Sequence, residues 1–208
     1  MNIKTTAERI AEALLAVKAV KLQPNTPFTW ASGWKSRVTL SSPSVRTLIK
    51  EELANVVRNS FGDAEVIAGV ATGAIAQGAL VADLLGLPFV YVRPQAKDHG
   101  MGNQIEGELP QGSKVLVIED LISTGGSSLK AVEALRQAGT TVLGMVAVYT
   151  HGFPQAVEAF EQAAVPLITL SNYDTVITEA LATGYISQED ESLLKEWRKS
   201  PATWTGKP

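Results

Sequence analysis

Glu119 and Asp120 stand side by side at the end of a continuous apolar run, Val115-Leu116-Val117-Ile118. Through Leu121 and Ile122 they lead into a hydroxyl- and glycine-rich turn, Ser123-Thr124-Gly125-Gly126-Ser127. Such a turn has what an anion cradle needs. Glycines let the backbone approach closely, hydroxyls donate, and the N–H groups of a following helix point at the ligand. Two carboxylates beside a cradle for phosphate would repel the bare anion, so they need another task. They can engage the hydroxyls of a sugar, or the shell of a Mg²⁺ ion, next to a phosphate held by the turn. A ribose 5-phosphate moiety satisfies both halves. The nucleotide-binding P-loop is the competing pattern, but it requires a Lys after its glycines and none stands there. The other reading is a simple helix cap, which needs neither the paired acids nor the whole hydroxyl run.

These residues need a scaffold. The apolar run is too short for an ordinary helix and does not alternate, so it reads as a strand buried on both faces. A helix follows over Ser127 to Gln137. Upstream, Thr5 or Thr6 caps a helix through Ala7 to Leu15, and Phe28 to Gly33 reads as strand and turn. Ser44 caps a helix from Val45 to Ser60, ended by Gly62. A strand over Glu65 to Val70 enters Ala71-Thr72-Gly73-Ala74 and a helix from Ile75 to Leu85. This second strand–turn–helix unit serves either to present N–H groups to a pyrophosphate or to let helix and strand pack closely. Pro88 to Arg93 is a further strand. From Pro94 to Ser113 all periodicity vanishes, as in lids and binding loops. Thr141 to Tyr149 and Leu167 to Leu170 are strands, and Pro154 to Ala163, Tyr173 to Ala182 and Gln188 to Lys199 are helices. Strands alternating with helices give an α/β domain with a mainly parallel central sheet flanked by helices.

Composition narrows the partners. A chain of 208 residues is read as a single domain, 1–208, with a sizeable core. Its formal net charge of −3 leaves no basic footprint for nucleic acid. There are no cysteines, so no disulfide framework or thiolate zinc site forms. No targeting pattern opens the chain and no apolar run reaches spanning length. A cytoplasmic protein with no membrane partner is the expectation.

Three stretches carry a family resemblance. Ile118 to Ser127 resembles the 5-phosphoribosyl 1-diphosphate (PRPP) motif of type I phosphoribosyltransferases. Arg93-Pro94-Gln95-Ala96-Lys97-Asp98-His99-Gly100 is similar to the catalytic loop of orotate phosphoribosyltransferases, and Phe28 to Ser36 to their N-terminal signature. The order of the three is the family's order. The resemblance implies a type I phosphoribosyltransferase-like fold with a small N-terminal hood, about 1–45. It implies transfer of ribose 5-phosphate from PRPP to orotate, in UMP biosynthesis, with Mg²⁺ carried mainly by PRPP or pyrophosphate. It further implies a homodimer with shared sites.

Residue by residue, the resemblance makes Lys97, His99 and Asp120 catalytic. It makes Arg93, Lys97, His99, Glu119, Asp120, Leu121, Ile122, Ser123, Thr124, Gly125, Gly126 and Ser127 PRPP-binding, and Ser123 orotate-binding. No residue is assigned to a metal. The chain departs from the family in three places. Several residues are missing after Ser36. Pro94 stands where many members have a second basic residue. Tyr149-Thr150-His151-Gly152-Phe153 replaces a stretch that commonly carries an arginine for the orotate carboxylate. His151 itself reads as a surface or capping residue. A phosphoribosyltransferase for another base shares the central motif but not the Phe28–Ser36 signature or the Lys97-Asp98-His99-Gly100 loop, and a PRPP-binding regulator without catalysis is opposed by the retained Lys97 and His99 and the mild acidity.

Overall fold

The computed structural model describes residues 3–20, 22, 36–93 and 104–199. Its first helix, α1 (Thr6–Ala16), starts at a capping box: the Thr5 hydroxyl accepts from the Glu8 N–H, and Glu8 accepts from the Thr5 N–H. Helices α2 (Ser36–Ser41) and α3 (Pro43–Ser60) follow. Ser42, not Ser44, is the N-cap of α3, because Pro43 is suited to the first helical position where its missing N–H costs nothing. The helix ends at Ser60, with Phe61 rather than Gly62 as its C-cap.

Next come β1 (Val66–Val70), α4 (Ile75–Leu85), β2 (Phe89–Val92), β3 (Ile105–Glu106) and β4 (Lys114–Ile122). The chain continues through α5 (Gly126–Gln137), β5 (Thr141–Thr150), α6 (Pro154–Gln162), β6 (Leu167–Asn172), α7 (Tyr173–Ala182) and α8 (Gln188–Lys199). The six strands form one sheet in the order β3-β2-β1-β4-β5-β6. Among the described strands only β3 runs antiparallel, pairing Tyr91 with Glu106 and Val92 with Ile105. The sheet is mainly parallel and helix-flanked, as the sequence pattern requires.

Strand residues alternate between two hydrophobic layers. Ile67, Leu116, Ile118, Val146 and Val148 pack with α1, α3, α4 and α7. Val66, Ala68, Val115, Val117, Met145 and Ala147 pack with α5 and α6. Both faces are covered, which explains the unbroken apolar runs of β1 and β4. Helix α1 is held to α3 by an Arg9–Glu52 ion pair of 2.7 Å. It is held to α7 by a Lys4–Glu179 pair, also of 2.7 Å. Ser171, at the end of β6, adds a hydrogen bond to the Ala7 carbonyl.

In the strand order, the chain leaves β1 toward one edge of the sheet and leaves β4 toward the other. Adjacent strands whose connections diverge leave a crevice at their carboxyl ends, where open α/β sheets bind ligands. The crevice here lies between the turn 71–74 and the segment 119–127.

Candidate active site at the β1–β4 crevice

Strand β4 outlasts its apolar run. It continues through the two acids because β5 continues beside it, pairing Glu119 with Ala147 and Ile122 with Thr150. Neighbouring side chains on a strand point to opposite faces, and this separates Glu119 from Asp120. Asp120 turns toward the crevice. Its carboxylate lies so close to Gly73 that a Cβ on that glycine would sit 2.5 Å from Asp120 Cγ and 2.9 Å from Oδ1, with Oδ2 nearer still. Residue 73 is therefore glycine because a carboxylate occupies the space of a side chain. The preceding Ala71–Thr72 peptide is cis. Close packing explains the other glycines of this unit: a Cβ on Gly78 would stand 3.3 Å from the Gly69 Cα.

Glu119 turns the other way, under α5, and is 4% exposed. Its Oε1 accepts from the Asp120 N–H at 3.0 Å and its Oε2 from the Ser128 hydroxyl at 2.8 Å. Burial, then the neighbouring Asp120 carboxylate, push its pKa well above the ordinary glutamate range; the Ser128 bond works weakly against them. Ser128 was not singled out by sequence. Two adjacent serines open the helix, and only the folded turn shows which one faces inward.

After β4, Gly125 adopts a left-handed backbone with φ +82° and forms the N-cap of α5 without a side-chain cap bond. Thr124, Gly126 and Ser127 are exposed beside it. The helix start thus presents backbone donors and hydroxyls, the arrangement that favours a phosphate. Leu121 packs against one hydrophobic layer and Ile122 is fully buried in the other, so only their backbones can serve a ligand. The Ile122 carbonyl accepts from the His151 N–H and the Thr150 hydroxyl, locking the ends of β4 and β5 together. Ser123 Oγ is buried without a hydrogen-bond partner. An unsatisfied buried hydroxyl costs about 1–3 kcal/mol, a cost that a ligand contact removes.

Arg93 follows β2 and pairs with Glu106 across the β2–β3 hairpin at 3.3 Å. Lys97 and His99 lie outside the described residues, as do Phe28 to Lys35. Among the described residues, no three Asp, Glu or His side chains converge to hold a metal.

His151 is not a surface residue. It sits in an aromatic cluster, with ring centroids 5.2 Å from Tyr149, 5.4 Å from Phe153 and 6.2 Å from Trp197. Burial, reinforced by the Arg198 charge, lowers its pKa to about 4. Arg198 donates to the Gly152 carbonyl, pairs with Asp174 and lies over the Tyr173 ring. These contacts fasten α8 to the end of β5. Sequence gave the period of α8 but no sign that Trp197 and Arg198 reach this strand end.

The comparisons agree with this geometry. The family described as phosphoribosyl transferase domain matches residues 40–172. An orotate phosphoribosyltransferase from Porphyromonas gingivalis is 68% identical, over 97% of this chain and 99% of its own length. Another from Listeria innocua is 53% identical, over 95% of this chain and 97% of its own. The crystal structure of orotate phosphoribosyltransferase from Aeropyrum pernix is similar with a TM-score of 0.73 and 29% identity, covering 86% of this chain and 99% of that one. With a site and a sheet of this form, and with identity of this extent along nearly the whole chain, the protein belongs to the orotate phosphoribosyltransferases within the phosphoribosyl transferase domain family.

Proposed function

We propose that this enzyme transfers ribose 5-phosphate from PRPP to N1 of orotate, releasing pyrophosphate and giving orotidine 5′-monophosphate for pyrimidine biosynthesis. The observation that carries the reading is the crevice itself. One carboxylate, Asp120, stands against Gly73 at the β1–β4 divergence, next to an uncapped helix start. Cleavage at C1 of the ribose develops positive charge on the sugar and negative charge on the diphosphate. A fixed carboxylate beside the first and donors beside the second favour that separation.

Asp120 holds the ribose hydroxyls and lies near the developing cation. The backbone of 124–127, with the Thr124 and Ser127 hydroxyls, takes the 5′-phosphate. The turn 71–74 and the start of α4 face the diphosphate, with Arg93 able to leave Glu106 for it. The buried, unpartnered Ser123 hydroxyl supports the orotate contact. Lys97 and His99 join by resemblance as the cations that meet pyrophosphate. Among the described residues no acid or histidine cluster would hold Mg²⁺, so the ion would arrive with the substrate and would supply neutralisation of leaving-group charge.

Residues 1–208 act as one domain, in a cytoplasmic homodimer with shared sites. No helix among the described residues is long and apolar enough to cross a membrane. The test is to incubate the protein with PRPP and Mg²⁺ and, separately, orotate, uracil and hypoxanthine, following consumption of each base. Orotate alone should be consumed. Turnover of uracil or hypoxanthine without orotate would overturn the reading. Dimer sharing is tested with heterodimers of Lys97→Ala and Asp120→Asn subunits, which should recover part of the activity that each homodimer lacks.

A further inference from the structure

The two ends of the segment 119–127 are braced by different elements. The start of α5, on the phosphate side, is tied to β4 by the Ser128 hydroxyl, which donates to Glu119 at 2.8 Å. The end of β4, at Ile122 and Ser123, is braced from β5, and that brace can be followed outward bond by bond. The Ile122 carbonyl accepts from the Thr150 hydroxyl at 3.2 Å and from the His151 N–H at 3.0 Å. The Thr150 oxygen in turn accepts from the Gly152 N–H at 3.0 Å. The Gly152 carbonyl accepts from Arg198 Nη2 at 3.2 Å, so the chain of bonds ends 46 positions further on, in α8.

Arg198 is itself held in place. Its Nη1 pairs with Asp174, and its guanidinium carbon stands 5.6 Å from the centre of the Tyr173 ring. Tyr173 packs against Trp197 with ring centroids 5.6 Å apart, and its hydroxyl donates to the Leu194 carbonyl at 3.0 Å. The strand end is shaped to receive the guanidinium. Residue 152 has φ +64°, and a Cβ there would stand 2.8 Å from Nη2. Glycine meets both conditions, and an ionised donor binds a carbonyl more strongly than a neutral one.

We propose that Arg198 is a positioning residue for the base: through Gly152, Thr150 and Ile122 it sets where the Ser123 hydroxyl stands, and so tunes affinity for the base rather than for PRPP. Ser123 Oγ is buried without a hydrogen-bond partner, so among the described residues no side-chain bond of its own fixes it. Its place is dictated by the backbone that the chain of bonds holds. The functional meaning rests on the phosphoribosyl reading of the crevice; the bonds themselves do not.

Arg198→Gln should raise KM for orotate by about tenfold, the scale of a hydrogen bond from a charged group, with kcat and KM for PRPP little changed. Arg136→Gln is the matched control. Arg136 also donates to backbone carbonyls, those of Ala163 and Ala164, but these lie beyond the other end of α6. It should cost stability without moving either KM. In a Ser123→Ala background the Arg198→Gln effect should shrink to within about twofold, because both changes act on one contact. Should Arg198→Gln fail to fold, Thr150→Val, which removes the hydroxyl and keeps the shape, should give the same split between the two KM values. Amide hydrogen exchange on the substrate-free protein needs no turnover: Arg198→Gln should speed exchange at His151 and Gly152, and Arg136→Gln should not. Equal rises in both KM values, an unmoved KM for orotate, full additivity with Ser123→Ala, or unchanged exchange would overturn the proposal. If another base proves to be the substrate, the exchange result stands and the KM for that base replaces that for orotate, so the two readings fail separately.

Discussion

Replacing Gly73 with alanine should damage catalysis far more than folding, because the atoms in the way belong to Asp120, the carboxylate proposed to hold the ribose hydroxyls. The new Cβ would stand 2.5 Å from Asp120 Cγ and 2.9 Å from Oδ1. Comfortable carbon contacts begin near 3.5 Å, so the carboxylate must retreat by about 1 Å. Gly73 does not have a positive φ, so alanine adopts its backbone conformation without strain. The Asp120 side chain can yield by rotating, at a cost of about 0.5–1.5 kcal/mol for leaving its rotamer. A displacement of 1 Å at a catalytic group, by contrast, costs about 100-fold in rate. That is about 2.7 kcal/mol of transition-state stabilisation. The assay pairs kcat/KM with PRPP and orotate against urea denaturation of the same variant. Gly62→Ala serves as control, since its Cβ would meet only the Arg58 carbonyl, at 3.4 Å. In an Asp120→Asn background the Gly73→Ala loss should largely disappear, because both changes act on one carboxylate. Activity of Gly73→Ala within about threefold of wild type, or full additivity with Asp120→Asn, would refute the placement of Asp120 in the reaction.

Asp120→Asn alone should lower kcat by about 100–1,000-fold with little loss of stability, the scale of removing one preorganised electrostatic group; kinetics with parallel denaturation check it. Gly125→Ala should destabilise the fold by about 1–2 kcal/mol from its left-handed backbone. The Phe160 ring, 2.8 Å from the added Cβ, raises that cost, and urea denaturation measures it. His151 is held neutral in the fold with a pKa of about 4, against an ordinary 6.5. Its depressed value means that the unfolded chain takes up a proton first as the pH falls. Stability should therefore decline as pH drops from about 6.5 to about 4, by at most on the order of 3 kcal/mol. His151→Gln should flatten that part of a denaturation series across the same window.

Much of this was legible in the chain. Helices α1, α6 and α8 carry clear apolar periods, and Thr5 and Glu8 spell their capping box in sequence. The crevice was legible as chemistry, since acids, hydroxyls and glycines follow one another within a few positions. The misses share a cause: they depend on partners outside the element's own pattern. Strand β3 is two residues long and exists through its pairing with β2. Helix α2 is a six-residue turn whose Leu40 carbonyl is satisfied by Arg46 of the next helix. The opposite facing of Glu119 and Asp120 follows from strand alternation, but only once β5 is known to carry β4 beyond its apolar run. His151 looks polar in one dimension and is half-buried because the rings of Phe153, Tyr173 and Trp197 converge on it.

The bond between Lys4 and Glu179 joins residues 175 positions apart. On the ribosome, at ~5–20 residues per second, the interval between the two is ~10–35 s. During that time α1 can settle against α3, whose Glu52 is made early, but the side of it that meets α7 and β6 has no partner. The apolar residues that α1 buries in the finished core, Ile10, Leu14 and Leu15 among them, stay incompletely covered until α7 is made. Helix α1 is thus made long before it is finished, and a chain stopped short of α7 would display it. Chaperones and proteases that recognise exposed apolar helix faces would find there a mark of incomplete translation.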